Sequence, residues 1–283
     1  MRFVAYDAGT SGSGLALRRG KDLVALDLAG MPQDMLGLLN AGPDALKAAA
    51  GKADRGKLLD ESKINYLPPL AQPPKIICVG LNYADHTKES PYEQPKYPTV
   101  FSRFASSLIG HRAPVIRPSC SVELDYEGEL VAVIGRQGRN ISRDAALSHV
   151  AGYSLFNDVS VRDYQFKSPQ WTVGKNFDGT GPFGPEFITA DELPAGAVGL
   201  KIETRLNGKT VQSSTTAEML YPVADIIAIL SEAMTLEVGD VIVTGTPAGV
   251  GFARKPPLFM KHGDTVEVEV EGVGILSNPV QDQ

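Results

Sequence analysis

Cysteine is scarce in this sequence: Cys78 and Cys120 are the only two among 283 residues, and they form no CxxC pair. A secreted disulfide framework is therefore excluded, and both are expected as reduced thiols of a cytoplasmic protein. Long apolar runs are missing too. No stretch approaches the roughly 18 residues that span a bilayer, and Met1 to Thr10 has neither a basic n-region nor an apolar h-region. Excess positive charge is the third absence. Against 33 Asp and Glu stand only 27 Lys and Arg, a net charge of −6, and the longest basic cluster is Arg18-Arg19. Surfaces that hold nucleic acid carry surplus cations to neutralise phosphates. No nucleic acid and no membrane are expected as partners. A small anion stays open, because a bound metal can invert the local charge balance.

What the chain has in quantity is glycine and proline, 29 and 20 residues. Residues 1–70 read as a small N-terminal α+β domain, with strands at Met1 to Tyr6 and Leu23 to Leu28 around the turn Thr10 to Gly14. Ala45 to Leu59 reads as partly helical. The four prolines of 67–74 can continue neither a helix nor a central strand, which sets a boundary between 1–70 and a catalytic domain, 71–283. Beyond it, Lys75 to Val79, Pro98 to Phe101, Leu130 to Ile134, Leu200 to Leu206, Val241 to Thr244 and Thr265 to Val270 read as strands. Ser142 caps a short helix, and Pro222 opens one carrying Ile226, Ile227, Leu230 and Met234 on a stripe. The fold class is α+β and β-rich, with long loops.

Chemistry concentrates in a few segments. If Ser121 to Gly135 is one strand, Glu123, Asp125, Glu127 and Glu129 share a face, and Val131 and Val133 carry that face into the core. Carboxylates crowding into an apolar interior repel and lose hydration. A hard cation such as Mg²⁺ or Mn²⁺ relieves this; acids at a wet strand end are the plain alternative. Asp158 is a candidate third ligand or a helix N-cap. On a helix, His86 and Glu89 lie within reach, either as an oriented base or as a surface ion pair. Lys175 stands among apolar and glycine residues, either as an anion anchor or as a snorkelling cation. The loop Thr244 to Gly251 is glycine-rich but lacks the spacing of a nucleotide loop; Thr246 and the backbone N–H groups could hold a substrate carboxylate.

Together these segments resemble the fumarylacetoacetate hydrolase superfamily over residues 73–278. The pattern Gly-x-Asn-Tyr-x-x-His-x-x-Glu is Gly80 to Glu89, and the metal-binding Glu-x-Glu is Glu127 and Glu129. Asn157 to Gln165 matches a further motif, Lys175 the family lysine, and Gly245 to Gly251 the Gly-Thr-Pro-x-Gly-Val-Gly signature. The resemblance implies a mixed β-sandwich roll and a homodimer. It makes Glu127, Glu129 and Asp158 ligands of Mg²⁺ or Mn²⁺, with His86, Glu89 and Lys175 catalytic. Substrate binding falls to Tyr83, Arg103, Gln165 and Thr246. It also implies a lid over the site, including Pro91 to Pro98. Where relatives carry Phe-x-Lys-Pro, this chain has Phe101-Ser-Arg-Phe104, so Arg103 is expected to grip a carboxylate bidentately. The expected activity is hydrolytic C–C cleavage of an acylpyruvate-like 2,4-dioxo acid, with His86 activating water. Oxaloacetate decarboxylation and isomerisation of an unsaturated 2-oxo diacid are the alternatives. A non-catalytic ligand-binding protein is a reading of another class.

Overall fold

The computed structural model describes residues 1–9, 12–89 and 96–283. Thr10 and Ser11 of the expected turn, and 91–95 of the expected lid, lie outside them. Among the described residues an eleven-stranded sheet runs through the molecule. Its order is Asp22–Ala25, Ser13–Arg19, Arg2–Asp7, Gly181–Thr189, Val150–Asn157, Gly128–Ile134, Val241–Val243, Ile76–Gly80 and Thr99–Arg103, with two short strands attached beside this path. A second sheet of five strands comprises Lys209–Thr215, Lys201–Leu206, Thr265–Val270, Gly274–Asp282 and Val115–Arg117. The protein is α+β and rich in strand.

Gly128–Ile134 is buried along its whole length, and its alternation explains the layering. Leu130, Ala132 and Ile134 join a core shared with helix Val223–Ala233 and with Val268, Val270 and Leu276 of the second sheet. Val131 and Val133 join the opposite core, with Phe3, Leu15, Met35, Leu38, Phe156 and Phe183. The period-2 geometry of a strand thus loads both faces. Residues 1–70 take part in this packing directly. Their strand Arg2–Asp7 pairs with Gly181–Thr189, and their helices Met35–Asn40 and Pro43–Gly51 cover one face of the main sheet. Residues 1–70 also hold a small cluster of their own, with Val4, Ala16, Leu23 and Tyr66, ahead of the prolines of 67–74.

The expected continuous strand through 121–135 is interrupted. Leu124–Asp125 pairs with Ser160–Val161, whereas Gly128–Ile134 pairs with Val150–Asn157. Between them Glu127 N–H donates to Asn157 Oδ1 at 3.0 Å, and Asp158 N–H donates to Glu127 O at 2.8 Å. This change of partner places the acids of 123–129 in different surroundings. No described helix is long and apolar enough to cross a membrane.

Candidate metal centre and active site

The carboxylates of Glu127, Glu129 and Asp158 converge at the end of the main sheet, with one oxygen from each within 4.8 Å of the others. All three are buried. Glu127 and Glu129 flank the start of one strand, and Asp158 follows the neighbouring strand that ends at Asn157. Fixed cations compensate two of them. Lys175 Nζ lies 2.8 Å from Glu127 Oε2 and 2.6 Å from Asp158 Oδ2. Arg162 Nη1 lies 2.7 Å from Glu127 Oε1, and Arg103 Nη1 lies 2.6 Å from Asp158 Oδ1. Glu129 accepts the N–H of Gly245 and has no ion pair with a described residue.

The titration behaviour follows this asymmetry. Burial pushes Glu127 up, but Lys175, Arg162 and His86 outweigh it and hold the group at about 2. Burial pushes Glu129 well above the usual carboxylate range, reinforced by Asp158 and Glu127. Burial lowers Lys175, yet Asp158 and Glu127 leave it raised and charged. A buried carboxylate that resists ionisation, set within 4.8 Å of two others, is one that a divalent cation would stabilise. Each carboxylate oxygen keeps a second lone pair beyond its ion pair. The donor set therefore fits a hard divalent ion held by three carboxylates.

His86 is on the short helix Ala84–Glu89, and its Nδ1 meets Glu89 Oε1 at 2.9 Å. Glu89 in turn accepts Gly249 N–H on both oxygens at 2.9 Å, and Val250 N–H at 3.4 Å. One cleft brings His86, Glu127, Glu129, Lys175, Gln165 and Thr246 onto its wall. Aromatic rings close its other side. Phe101 and Trp171 meet edge to face at 5.4 Å, and Phe166 and Phe252 at 5.6 Å.

Several expected positions land elsewhere. Arg103 is buried behind Asp158 and off the cleft wall. Besides Asp158 it donates to Val159 O at 3.1 Å, Thr180 Oγ1 at 2.9 Å and Ser107 Oγ at 3.3 Å. Its fork is spent on holding a triad member, so it grips no substrate in this arrangement. Tyr83 is buried in the core with Val79 and Leu130, also off the cleft, and burial followed by Glu129 pushes its phenol up. Asp125 leaves the acidic face: it pairs with Arg162 Nε at 2.8 Å and accepts Gly251 N–H at 2.7 Å and Phe252 N–H at 3.0 Å. The glycine loop does cradle anions, but they are Glu129, Glu89 and Asp125 of this chain. Thr246 faces the cleft, yet its hydroxyl proton goes to Gly128 O at 3.0 Å.

Arg162 was not among the expected site residues, although it sits inside the Asn157 to Gln165 motif. It lines the cleft, stacks over Phe252 at 4.5 Å and donates to Gln165 Oε1 at 2.8 Å. Its Nη2 is buried without a hydrogen-bond partner among the described residues.

A β-rich scaffold that closes cations and an acid–base pair around a buried carboxylate triad defines a metal-dependent enzyme. Residues 75–281 match the family described as fumarylacetoacetate (FAA) hydrolase, C-terminal, and the chain belongs to that family. It is 42% identical to a protein of Xenopus laevis named oxaloacetate tautomerase, mitochondrial, over 99% of this chain and 90% of that one. Among solved structures, a fumarylacetoacetate hydrolase from the psychrophile Exiguobacterium antarcticum is 35% identical with a TM-score of 0.87, covering 100% of both chains. A 2-hydroxyhepta-2,4-diene-1,7-dioate isomerase from Mycobacterium marinum is 30% identical with a TM-score of 0.79, over 100% of this chain and 99% of that one.

Proposed function

We propose that this enzyme interconverts the keto and enol forms of a small dicarboxylic 2-oxo acid of the oxaloacetate type. The observation that carries the reading is His86, oriented by Glu89, sharing one cleft with Glu127 and Glu129 of the carboxylate triad. A relative named as a tautomerase and a structural neighbour named as an isomerase support it. They favour proton transfer over the hydrolytic cleavage expected from the sequence.

Mg²⁺ or Mn²⁺ held by the triad would supply Lewis acidity toward the 2-oxo oxygen. Glu89 fixes the His86 ring through Nδ1, leaving Nε2 as the atom that exchanges a proton with the carbon beside the 2-oxo group. Lys175 sets a fixed cation next to the charge that develops on that oxygen. The orphan Nη2 of Arg162 takes a carboxylate oxygen, and Gln165 and Thr246 set the substrate's position. A proton leaves carbon and one reaches oxygen; no carbon–carbon bond breaks. Hydrolysis is the second reading, because an oriented His86 also suits proton removal from water. A homodimer and a cytoplasmic location complete the proposal, to be checked by light scattering and fractionation.

The test uses chelator-stripped protein with and without Mg²⁺ or Mn²⁺, following enol absorbance of oxaloacetate, with acetylpyruvate and fumarylpyruvate in parallel. Metal-dependent decay of the enol without pyruvate release is the expected result. Pyruvate formed from oxaloacetate would replace it with decarboxylation, and pyruvate formed from the dioxo acids with hydrolysis.

A further inference from the structure

The residue between the two glutamates of the triad is a glycine. A Cβ at Gly128 would stand 2.2 Å from Thr204 Oγ1 and 3.1 Å from Val268 of the second sheet. Only a bare Cα lets the second sheet come this close. At that contact a side chain of the second sheet reaches into the ligand strand. Gln212, on Lys209–Thr215, is 1% exposed. Its Oε1 accepts Gly128 N–H at 3.0 Å, while its Nε2 donates to Thr246 Oγ1 and to Pro247 O, both at 2.8 Å. The donors and acceptors fix the amide's orientation: a backbone N–H demands the oxygen, and a backbone carbonyl demands the nitrogen. Thr246 closes the ring by donating to Gly128 O at 3.0 Å. The neighbouring Gly245 N–H holds Glu129.

We infer that Gln212 is a positioning residue for the metal centre: its carboxamide ties the peptide between Glu127 and Glu129 to the Gly245–Gly251 loop and so sets the spacing of the two carboxylates. The inference rests on the triad being a cation site, as read above. Gln212 touches no ligand oxygen and does not itself line the cleft, so it acts through Gly128 and Thr246. The close seat of the loop on the same strand supports the assignment independently, since a Cβ at Gly249 would stand 2.1 Å from Val211 O. Outer-shell partners that orient metal ligands typically contribute 10- to 100-fold in affinity. Gln212 satisfies the backbone rather than a ligand atom, so the lower end of that range applies.

The test is Mn²⁺ binding to the whole chain, measured by titration calorimetry and electron paramagnetic resonance. Gln212→Met keeps the volume and removes both polar arms. Its dissociation constant should rise about 10-fold over the parent, while the melting temperature without metal identifies any general loss of fold. An unchanged constant overturns the proposal, leaving Gln212 as a tie between sheets. If the variant does not fold, hydrogen exchange of the parent decides. Added Mg²⁺ should slow exchange in 209–215, a strand that carries no ligand, by the reciprocity of coupled sites. Equal exchange with and without Mg²⁺ overturns the assignment. A parent that binds no Mn²⁺ overturns the triad reading itself, a different failure from a parent and variant that bind equally.

Discussion

Two networks of charge, one buried and one partly buried, can be compared within this chain. One is the triad with Lys175, Arg162 and Arg103. The other joins residues 1–70 to the rest: Arg18 pairs with Glu186 at 2.8 Å and with Glu61, which also takes the Tyr66 hydroxyl proton. Around it, His111 meets the Tyr66 ring edge-on at 4.8 Å, and Arg112 Nη1 donates to Glu61 O at 3.1 Å. In the second network opposite charges are matched, and Arg18 is what holds Glu61 below its ordinary range. In the first, Glu129 is left without a cation and is pushed up. The difference teaches how to separate a structural ion cluster from a working one. Matching carboxylates to cations serves stability; an acid left uncompensated beside a cleft is reserved for something that arrives.

The sharpest way to break this comparison is to remove the uncompensated acid. Glu129→Gln should weaken Mn²⁺ binding by more than about 100-fold, exceeding what outer-shell losses cost, and turnover should go with it. His86→Ala should leave Mn²⁺ affinity intact and lower turnover by about 100- to 10,000-fold. Calorimetry and enol absorbance on the same samples read both numbers. If both variants lose affinity equally, the division between ligand and base is wrong.

Next in size is the matched network. Arg18→Ala strips Glu61 and Glu186 of their shared cation and should lower unfolding stability by about 2 kcal/mol. Urea midpoints measure this, and the metal dissociation constant should not move. A change in affinity without a change in midpoint would erase the contrast between the networks.

The smallest expected effect concerns pH. Burial, then Arg112, lower His111 to about 4, against an unfolded value of 6.5. Between these values the unfolded chain takes up a proton that the folded chain refuses, so stability falls as pH drops from 6.5 toward 4 and is level above 6.5. The loss should reach about 1 kcal/mol by pH 5 after discounting for partial exposure. Melts at pH 7.5 and 5 measure it, and His111→Gln should flatten that slope.

The sequence was most legible where a local period carried the message. Glu127 and Glu129 before Leu130 to Ile134, His86 three residues from Glu89, and the helix stripe of Ile226, Ile227 and Leu230 all depend on neighbours along the chain. Longer-range choices were not legible. Asp125 obeys the same alternation as Glu127, yet the strand changes partner between them and sends Asp125 to Arg162. Arg103 offers the same fork to a substrate or to Asp158, and only the fold decides which. Gly181–Thr189 is absent from the strands read in the sequence, and its Pro182 and Pro185 are residues that a central strand rarely holds. It runs there nonetheless, with the ladder to Val150–Asn157 slipping register between Tyr153 and Leu155, where Leu155 lies opposite Gly184. An irregularity of that kind admits a residue lacking an N–H.

The loop from Gly245 to Gly251 has a consequence for how this protein tolerates change. Its amides hold Glu129, Glu89 and Asp125, and through them a proposed metal ligand, the partner of His86 and the seat of Arg162. A side chain at 249 would collide with Val211 O, and one at 251 with Leu258 O, each at 2.1 Å. One point substitution here would be felt as three simultaneous lesions. Cleft residues outside the loop make fewer such ties, so a substitution among them disturbs one contact where a displaced loop disturbs three.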